Sequence, residues 1–279
     1  MNLYESFSNL IPEALADKLR IARTRLRHLS QWPAARFHPW RQLSIHHLNR
    51  MRDHYRGKRC FVIGNGPSLN QMDVSLLEDE FTFGMNRVYL AFEEWGFQTS
   101  FLVSVNNLVI EQSRQDLLDL DMVRYFSWHA RNLLLDGEDL PPKTYFLHTT
   151  YGAPKFALNA AGRLWEGATV TYVCLQLAYH LGFTDVILIG VDHSFKTTGK
   201  ANQTVVSKGA DPNHFRKEYF GEGFQWQLPD LETSEKAYRM AREAYQEDGR
   251  IIRDATVGGE LDIFPKVNYY SLFPGEGRT

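Results

Sequence analysis

Lys58-Arg59-Cys60-Phe61-Val62-Ile63-Gly64-Asn65-Gly66-Pro67-Ser68-Leu69 decides the fold class of this chain. Four apolar residues run without a break into a turn of Gly, Asn, Gly and Pro. Such a run is short enough for a strand buried on both faces. Pro67 fixes φ for the start of a helix, and Ser68 stands where it would cap that helix. A strand that stops in a glycine turn at a helix start presents backbone N–H groups to whatever binds there, which is how open α/β sheets hold phosphates. The turn lacks the dinucleotide fingerprint spacing and the P-loop lysine. An ordinary strand-to-helix turn is the plainer alternative.

The pattern alternates downstream of this turn. Strands are expected at 60–64, 81–85, 100–105, 125–128, 145–148, 185–190 and 251–253. Helices are expected at 74–78, 88–95, 108–118, 170–181 and 232–246. This alternation predicts an α/β fold: a Rossmann-like, mostly parallel sheet with helices on both faces. An N-terminal helical arm and a long lid loop are added to it. The arm is assigned to residues 1–55 and the nucleotide-binding catalytic domain to 56–279. Residues 194–230 are rich in Gly, Lys and polar residues and form the expected lid.

Composition narrows the class. A hydrophobic fraction of 43% with 13% aromatics belongs to a folded chain, not a disordered one. Cys60 and Cys174, the two cysteines, fall in a strand and a helix and read as buried thiols, so neither a disulfide framework nor a zinc site is expected. No apolar run reaches the roughly 20 residues that span a bilayer, and the first residues do not have the form of a signal peptide. A cytoplasmic protein is expected. Residues 1–59 carry a balance of +8, the remainder −10. Leu15, Leu19, Ala22, Leu26 and Leu29 repeat at helical spacing beside Arg20, Arg23, Arg25 and Arg27. Residues 12–30 therefore suit either a helix on an anionic membrane surface or one packed on the acidic body. Nucleic acid is not expected as a partner.

Four further constellations carry polar chemistry. Gly84-Met85-Asn86-Arg87 closes the second strand, and Ser104-Val105-Asn106-Asn107 the third. Sequential parallel strands commonly sit side by side, so Asn65, Asn86 and Asn106 are expected along one sheet edge. Amides there can read a base or a sugar, and Arg87 can neutralise a phosphate. A cap or plain turn is the alternative for each Asn. Gly190-Val191-Asp192-His193-Ser194 ends a later strand, where Asp192 can hold a ribose, bind Mg²⁺ or orient a His. Asp211-Pro212-Asn213-His214-Phe215, with Tyr219 behind it, lies in the lid. There His214 can act as a general base.

At these residues the chain resembles the MptE-like family. The resemblance rests on the Gly-Asn-Gly-Pro-Ser-Leu turn, the Gly-Met-Asn-Arg strand end and the block from Gly167-Ala168-Thr169-Val170 to Gly190-Val191-Asp192. It covers roughly residues 56–256. That family includes motility accessory factors implicated in glycosylating flagellin with nonulosonic acids, and it is more distantly similar to bacterial CMP-sialic-acid-dependent sialyltransferases. The resemblance implies a glycosyltransferase using a nucleotide-activated sugar, a CMP-nonulosonate, in surface glycan or glycoprotein synthesis. Gly64, Asn65, Gly66, Ser68, Asn86, Arg87, Asn106 and Thr169 would bind the donor. Asp192 would hold ribose or orient the loop, and His214 would deprotonate the acceptor hydroxyl. Arg87 or Tyr219 would support the leaving phosphate, with Lys196, Lys200 or Lys208 as substitutes. No cofactor is required for this reading. The acceptor would be a glycan, a lipid-linked sugar or a protein, the arm would hold the enzyme at the inner membrane face, and a homo-oligomer is compatible. The sequence departs from the sialyltransferases in lacking an Arg before the 170–181 helix and a Tyr near Ser194. The name-giving archaeal member implies an alternative, a 6-hydroxymethylpterin diphosphokinase using ATP and Mg²⁺, with Asp192 serving the metal. A non-catalytic nucleotide-binding scaffold is the third reading.

Overall fold

A computed structural model describes residues 32–196 and 199–273 of the chain. The predicted helix at 12–30 lies outside the described residues. Eight strands form one sheet in the order β10-β7-β1-β2-β3-β4-β5-β6, all paired in parallel. They are β1 (Arg59–Ile63), β2 (Thr82–Met85), β3 (Phe101–Ser104), β4 (Val123–Ser127), β5 (Thr144–Thr150), β6 (Arg163–Trp165), β7 (Asp185–Ile189) and β10 (Ile251–Asp254). A small antiparallel pair, β8 (Thr204–Val206) with β9 (Gln225–Gln227), stands apart in the lid.

The helices are α1 (Pro39–Met51), α2 (Phe92–Trp95), α3 (Asn107–Gln112), α4 (Arg114–Asp119), α5 (Arg131–Leu135), α6 (Val170–Leu181) and α7 (Leu231–Glu247). The expected helix at 74–78 is a 3₁₀ turn, Val74–Leu77, and the one at 88–95 opens with another, Val88–Ala91. The expected 108–118 helix is broken at Ser113. The α1 helix starts at Pro39, because Pro is favoured at a helix start and His38 caps it. Three strands were not legible: β6, with three residues, and the lid pair, each too short for a periodic signal.

Side-chain alternation explains why the strands read as unbroken apolar runs. Along β1, Cys60 and Val62 enter a core under α6 and α7 with Tyr172, Leu175, Leu177 and Tyr245. Phe61 and Ile63 enter the opposite core with Leu69, Val88, Ile110 and Trp128. Both cysteines are buried thiols. The α1 helix is part of the sheet's cover: Arg41 Nη2 donates to Ala161 O at 2.7 Å, and Ser44 Oγ accepts from Phe146 N at 2.8 Å. No helix among the described residues is long and apolar enough to cross a membrane.

The chain steps outward from β1 to β6, then returns through α6 to place β7 on the other side of β1. The order therefore reverses between β7 and β2, around β1. In open sheets ligands bind at the carboxyl edge of such a reversal.

Candidate functional site

The turn after β1 spends most of its backbone donors within the protein. Gly64 N–H donates to Ile189 O and Gly66 N–H to Gly190 O, while Leu69 N–H closes the 3₁₀ turn onto Gly66 O. Ser68 N–H and Oγ–H donate to the two oxygens of Asp192, at 3.1 and 2.6 Å. The expected phosphate cradle is thus filled by a side chain of this same chain. Ser68 is not a helix cap; it lies inside the 3₁₀ segment Pro67–Gln71, buried, and clasps β1 to the end of β7. The glycines have the same cause. A Cβ on Gly64 would collide with Gly190 O, and one on Gly66 with the Asp192 carboxylate. Burial pushes the Asp192 carboxyl above its ordinary range, against the bonds from Ser68 that pull it down.

Beyond this clasp the sheet edge opens into a cavity of about 250 Å³. Of the expected site residues, Gly64, Asn65, Gly66, Asn86, Asn106, Thr169, Asp192 and His214 line it. The three asparagines follow adjacent strands, as expected, but differ in what they have left to offer. Asn65 Oδ1 is buried without a partner. Asn86 sits at φ 52°, the left-handed region that Asn tolerates, and its Oδ1 accepts from Ser104 Oγ at 3.0 Å. Its amide nitrogen remains to donate. Asn106 is spent on structure: Oδ1 caps α3 through Leu108 N at 2.9 Å, and Nδ2 reaches Gln227 Oε1 of β9 at 3.4 Å. The cap reading, not donor recognition, describes its geometry.

The lid is a packed element. Phe215, Tyr219, Phe220, Trp226 and Leu228 are buried in one core, and Phe215 N–H donates to Asn65 O at 2.9 Å. His214 is positioned by this packing. Its ring stacks on Tyr219 at 4.1 Å and 7°, and Nδ1 lies 2.7 Å from Asp211 Oδ2. A carboxylate there accepts a hydrogen bond from Nδ1–H and leaves Nε2 with a lone pair. Asp211 belongs to the quoted lid motif, but its role came only with the i, i+3 turn that folds it onto His214.

Arg87 and Tyr219 require correction. Arg87 turns into the lid: Nη1 donates to Tyr219 O, Nε to Tyr89 Oη at 3.3 Å, and the guanidinium lies 5.0 Å from the Phe224 ring centre. Tyr219 is fully buried beneath His214, its oxygen accepting from Arg87 N at 3.4 Å. Burial raises its phenol far above the ordinary value. Neither lines the cavity, and Lys196, Lys200 and Lys208 are exposed outside it. No Lys or Arg is found among the described residues that line it.

His193, quoted beside Asp192 at the end of β7, also lines the cavity, and so does Glu166, which the sequence did not single out. His193 holds φ 56°, and its Nε2 lies 3.2 Å from Glu235 Oε1 on α7. Glu166 follows β6 and is 4% exposed. Burial pushes its carboxyl up to about 7, against bonds from Thr149 and Tyr151, and Oε1 has no partner. No sequence signal marks Glu166, because its burial depends on β6 joining the sheet.

The Mg²⁺ of the alternative reading can be tested against these groups. Both Asp192 oxygens are engaged by Ser68, and no three His, Cys, Asp or Glu side chains gather among the described residues. Among the described residues, therefore, no cluster of side chains stands ready to hold a metal without a bound phosphate.

Residues 38–198 match the family model described as 6-hydroxymethylpterin diphosphokinase MptE-like. The match spans more than half of the chain, which therefore belongs to the MptE-like family. Among solved structures, the chain is similar to a MAf glycosyltransferase from Magnetospirillum magneticum AMB-1, at 15% identity and a TM-score of 0.46. That alignment covers 82% of this chain and 38% of the other. No curated protein matches the chain.

Proposed function

We propose that this chain transfers a glycosyl group from a nucleotide-activated sugar, of the CMP-nonulosonate class, to a hydroxyl acceptor in surface glycan or glycoprotein synthesis. The observation that carries the reading is the pair His214–Asp211, 2.7 Å apart, held by the lid over a cavity at the carboxyl ends of β1, β2 and β7. His214 Nε2 takes the proton of the acceptor hydroxyl as that oxygen attacks the anomeric carbon. The bond from that carbon to the phosphate oxygen breaks, and its electron pair leaves with the nucleotide. Asp211 fixes the tautomer and stabilises the imidazolium. Asn65 Oδ1 and the Asn86 amide nitrogen supply an acceptor and a donor for the nucleotide. The basic segment 12–30 would keep the enzyme at the cytoplasmic membrane face, close to a glycan, lipid-linked or protein acceptor.

Diphosphate transfer from ATP to a pterin alcohol is the second reading, favoured by the description of the family model. It shares the need for a base at a hydroxyl and differs in requiring Mg²⁺. Calorimetry with CMP, CDP, UDP and ATP, with and without Mg²⁺, separates the two. Binding of a cytidine nucleotide without metal is expected; metal-dependent ATP binding with no CMP binding overturns the transferase reading. In a transfer assay with whichever donor binds, His214→Ala is expected to abolish turnover with donor binding kept. Asp211→Asn is expected to lower kcat by about 10³-fold or more through the wrong tautomer. Unchanged turnover in His214→Ala removes the base assignment.

A further inference from the structure

The transferase reading puts a charged phosphate into a cavity whose described lining holds no Lys or Arg. Arg87 and Tyr219, expected to support it, are taken up by the lid. In the glycine turn the N–H groups of Gly64, Gly66 and Ser68 are used within the protein, which leaves Asn65 N–H. One neutral donor does not balance the charge that grows on a departing phosphate. Two of the described lining side chains can carry a positive charge, His193 and His214. His214 is engaged as the base, on the lid. His193 is the group left to act as the cation.

The chain leaves β7 through Gly190 at φ 64° and reaches His193 at φ 56°, a left-handed backbone that His tolerates better than most residues. The ring is tied from α7. Nε2 lies 3.2 Å from Glu235 Oε1, and the Tyr238 ring centre is 6.3 Å away. The bond from His193, and after it one from Arg239, draws the Glu235 carboxyl below the usual carboxylate range. That carboxylate accepts from Nε2–H. Nδ1 has no partner in the protein and is not sealed from solvent. The His193 side chain is 10% exposed and lines the cavity, so its free nitrogen opens there. His193 also adjoins Asp192, at the end of the strand that returns beside β1. Ligands of open sheets bind at this reversal. The two histidines thus approach the cavity from different sides, one from the sheet edge and one from the lid.

We propose that His193, as an imidazolium held by Glu235, donates a hydrogen bond from Nδ1–H to the phosphate oxygen that leaves the anomeric carbon. The inference rests on the transferase reading and divides its work between two His–carboxylate pairs. His214 with Asp211 takes the acceptor proton. His193 with Glu235 faces the charge of the leaving group. A charge-assisted bond strengthens as the departing oxygen gains charge, so it favours the transition state over the bound donor. Phosphate and imidazolium stabilise each other, and the coupling is reciprocal. The charged and titratable groups around His193 are Glu235, Tyr238 and Arg239 on α7, with Asp192, Asp230, Glu166 and His214 in the same cavity lining.

The test uses CMP, the leaving group itself, with cytidine as the uncharged control. Binding to the full chain is measured by calorimetry at pH 7 for the native protein, His193→Asn and Glu235→Gln. Asn tolerates the left-handed backbone and cannot carry the charge. His193→Asn should bind CMP about tenfold or more weakly and cytidine within about twofold of native. Glu235→Gln should bind CMP about threefold more weakly, with cytidine unchanged. If His193 only ties β7 to α7, His193→Asn changes both ligands equally or neither, and the assignment is overturned with the transferase reading left standing. Native CMP affinity in Glu235→Gln overturns the part given to Glu235. A second readout needs the native protein, labelled with ¹³C-histidine. The His193 Cε1–H resonance, identified by its loss in His193→Asn, should take the imidazolium position in the CMP complex at pH 7.5. A neutral His193 in that complex overturns the assignment. Failure of the native chain to bind CMP under any condition overturns the transferase reading, and this inference with it.

Discussion

The turn after β1 and the turn after β6 reach the same sheet edge, and each leads into a helical segment through glycine. In residues 64–68 the N–H groups of Gly64, Gly66 and Ser68 all end on oxygens of the β7 end, Asp192 included. The glycines there allow two strand ends to touch. In residues 166–169 a buried carboxyl oxygen goes without a partner beside the start of a 12-residue helix. The difference teaches that a glycine turn at a sheet edge has two physical causes. One is approach by a ligand, the other approach by a neighbouring strand, and only the partner of each N–H tells them apart.

Gly66→Ala breaks the comparison most severely. Its Cβ would meet the Asp192 carboxylate, which cannot retreat without losing Ser68. A loss of about 3 kcal/mol or more is expected from overpacking against a fixed group, read as the midpoint shift in urea unfolding. A turn that accepts Ala without loss would mean the clasp is loose, leaving its donors free for a ligand.

Glu166 gives the next largest effect, through pH. Burial pushes its folded-state pKa up to about 7, above the ordinary 4.5 of an exposed glutamate. The native state therefore keeps a proton that the unfolded state gives up. Stability contributed by this group is full below about pH 4.5, falls as pH rises through 7, and is level beyond. The loss is about 3 kcal/mol. Glu166→Gln should remove that part of the decline between pH 5 and 8 in chemical unfolding. Identical pH profiles for the two proteins would mean that Glu166 is solvated.

Ser68→Ala should cost about 1 to 2 kcal/mol, since it deletes the 2.6 Å bond to the carboxylate and leaves the backbone bond in place. The smallest effect is expected from Ala168→Gly. It relieves φ 60° and should stabilise the chain by up to about 1 kcal/mol in thermal unfolding. A clear destabilisation would mean that the Ala168 methyl group packs usefully in the wall.

Much of the fold was legible because local patterns carry it. The apolar runs at Phe61–Ile63 and Val186–Ile189 can be buried strands of a covered sheet, and the α6 helix follows from Thr169 as cap and Gly182 as terminator at φ 99°. Three residues, as in β6 or β8, are too few to show a period. Asn65, Asn86 and Asp192 could be placed at one edge because parallel neighbours put their carboxyl ends together. The uses of Arg87, Tyr219 and Glu166 could not be read, because each depends on the lid or on β6 packing against distant chain.

The sequence by itself determined that residues 60–64 are a buried strand ending in a glycine turn, and that polar side chains gather at one sheet edge. Both follow from backbone sterics and two-residue alternation, which act locally. Tertiary structure alone decided what fills the turn. Asp192 lies more than a hundred residues away in sequence, and only the return of β7 to the side of β1 brings its carboxylate onto Ser68. The same long-range closure leaves Glu166 buried with one oxygen unpaired, because β6 joins the sheet without bringing a partner for it.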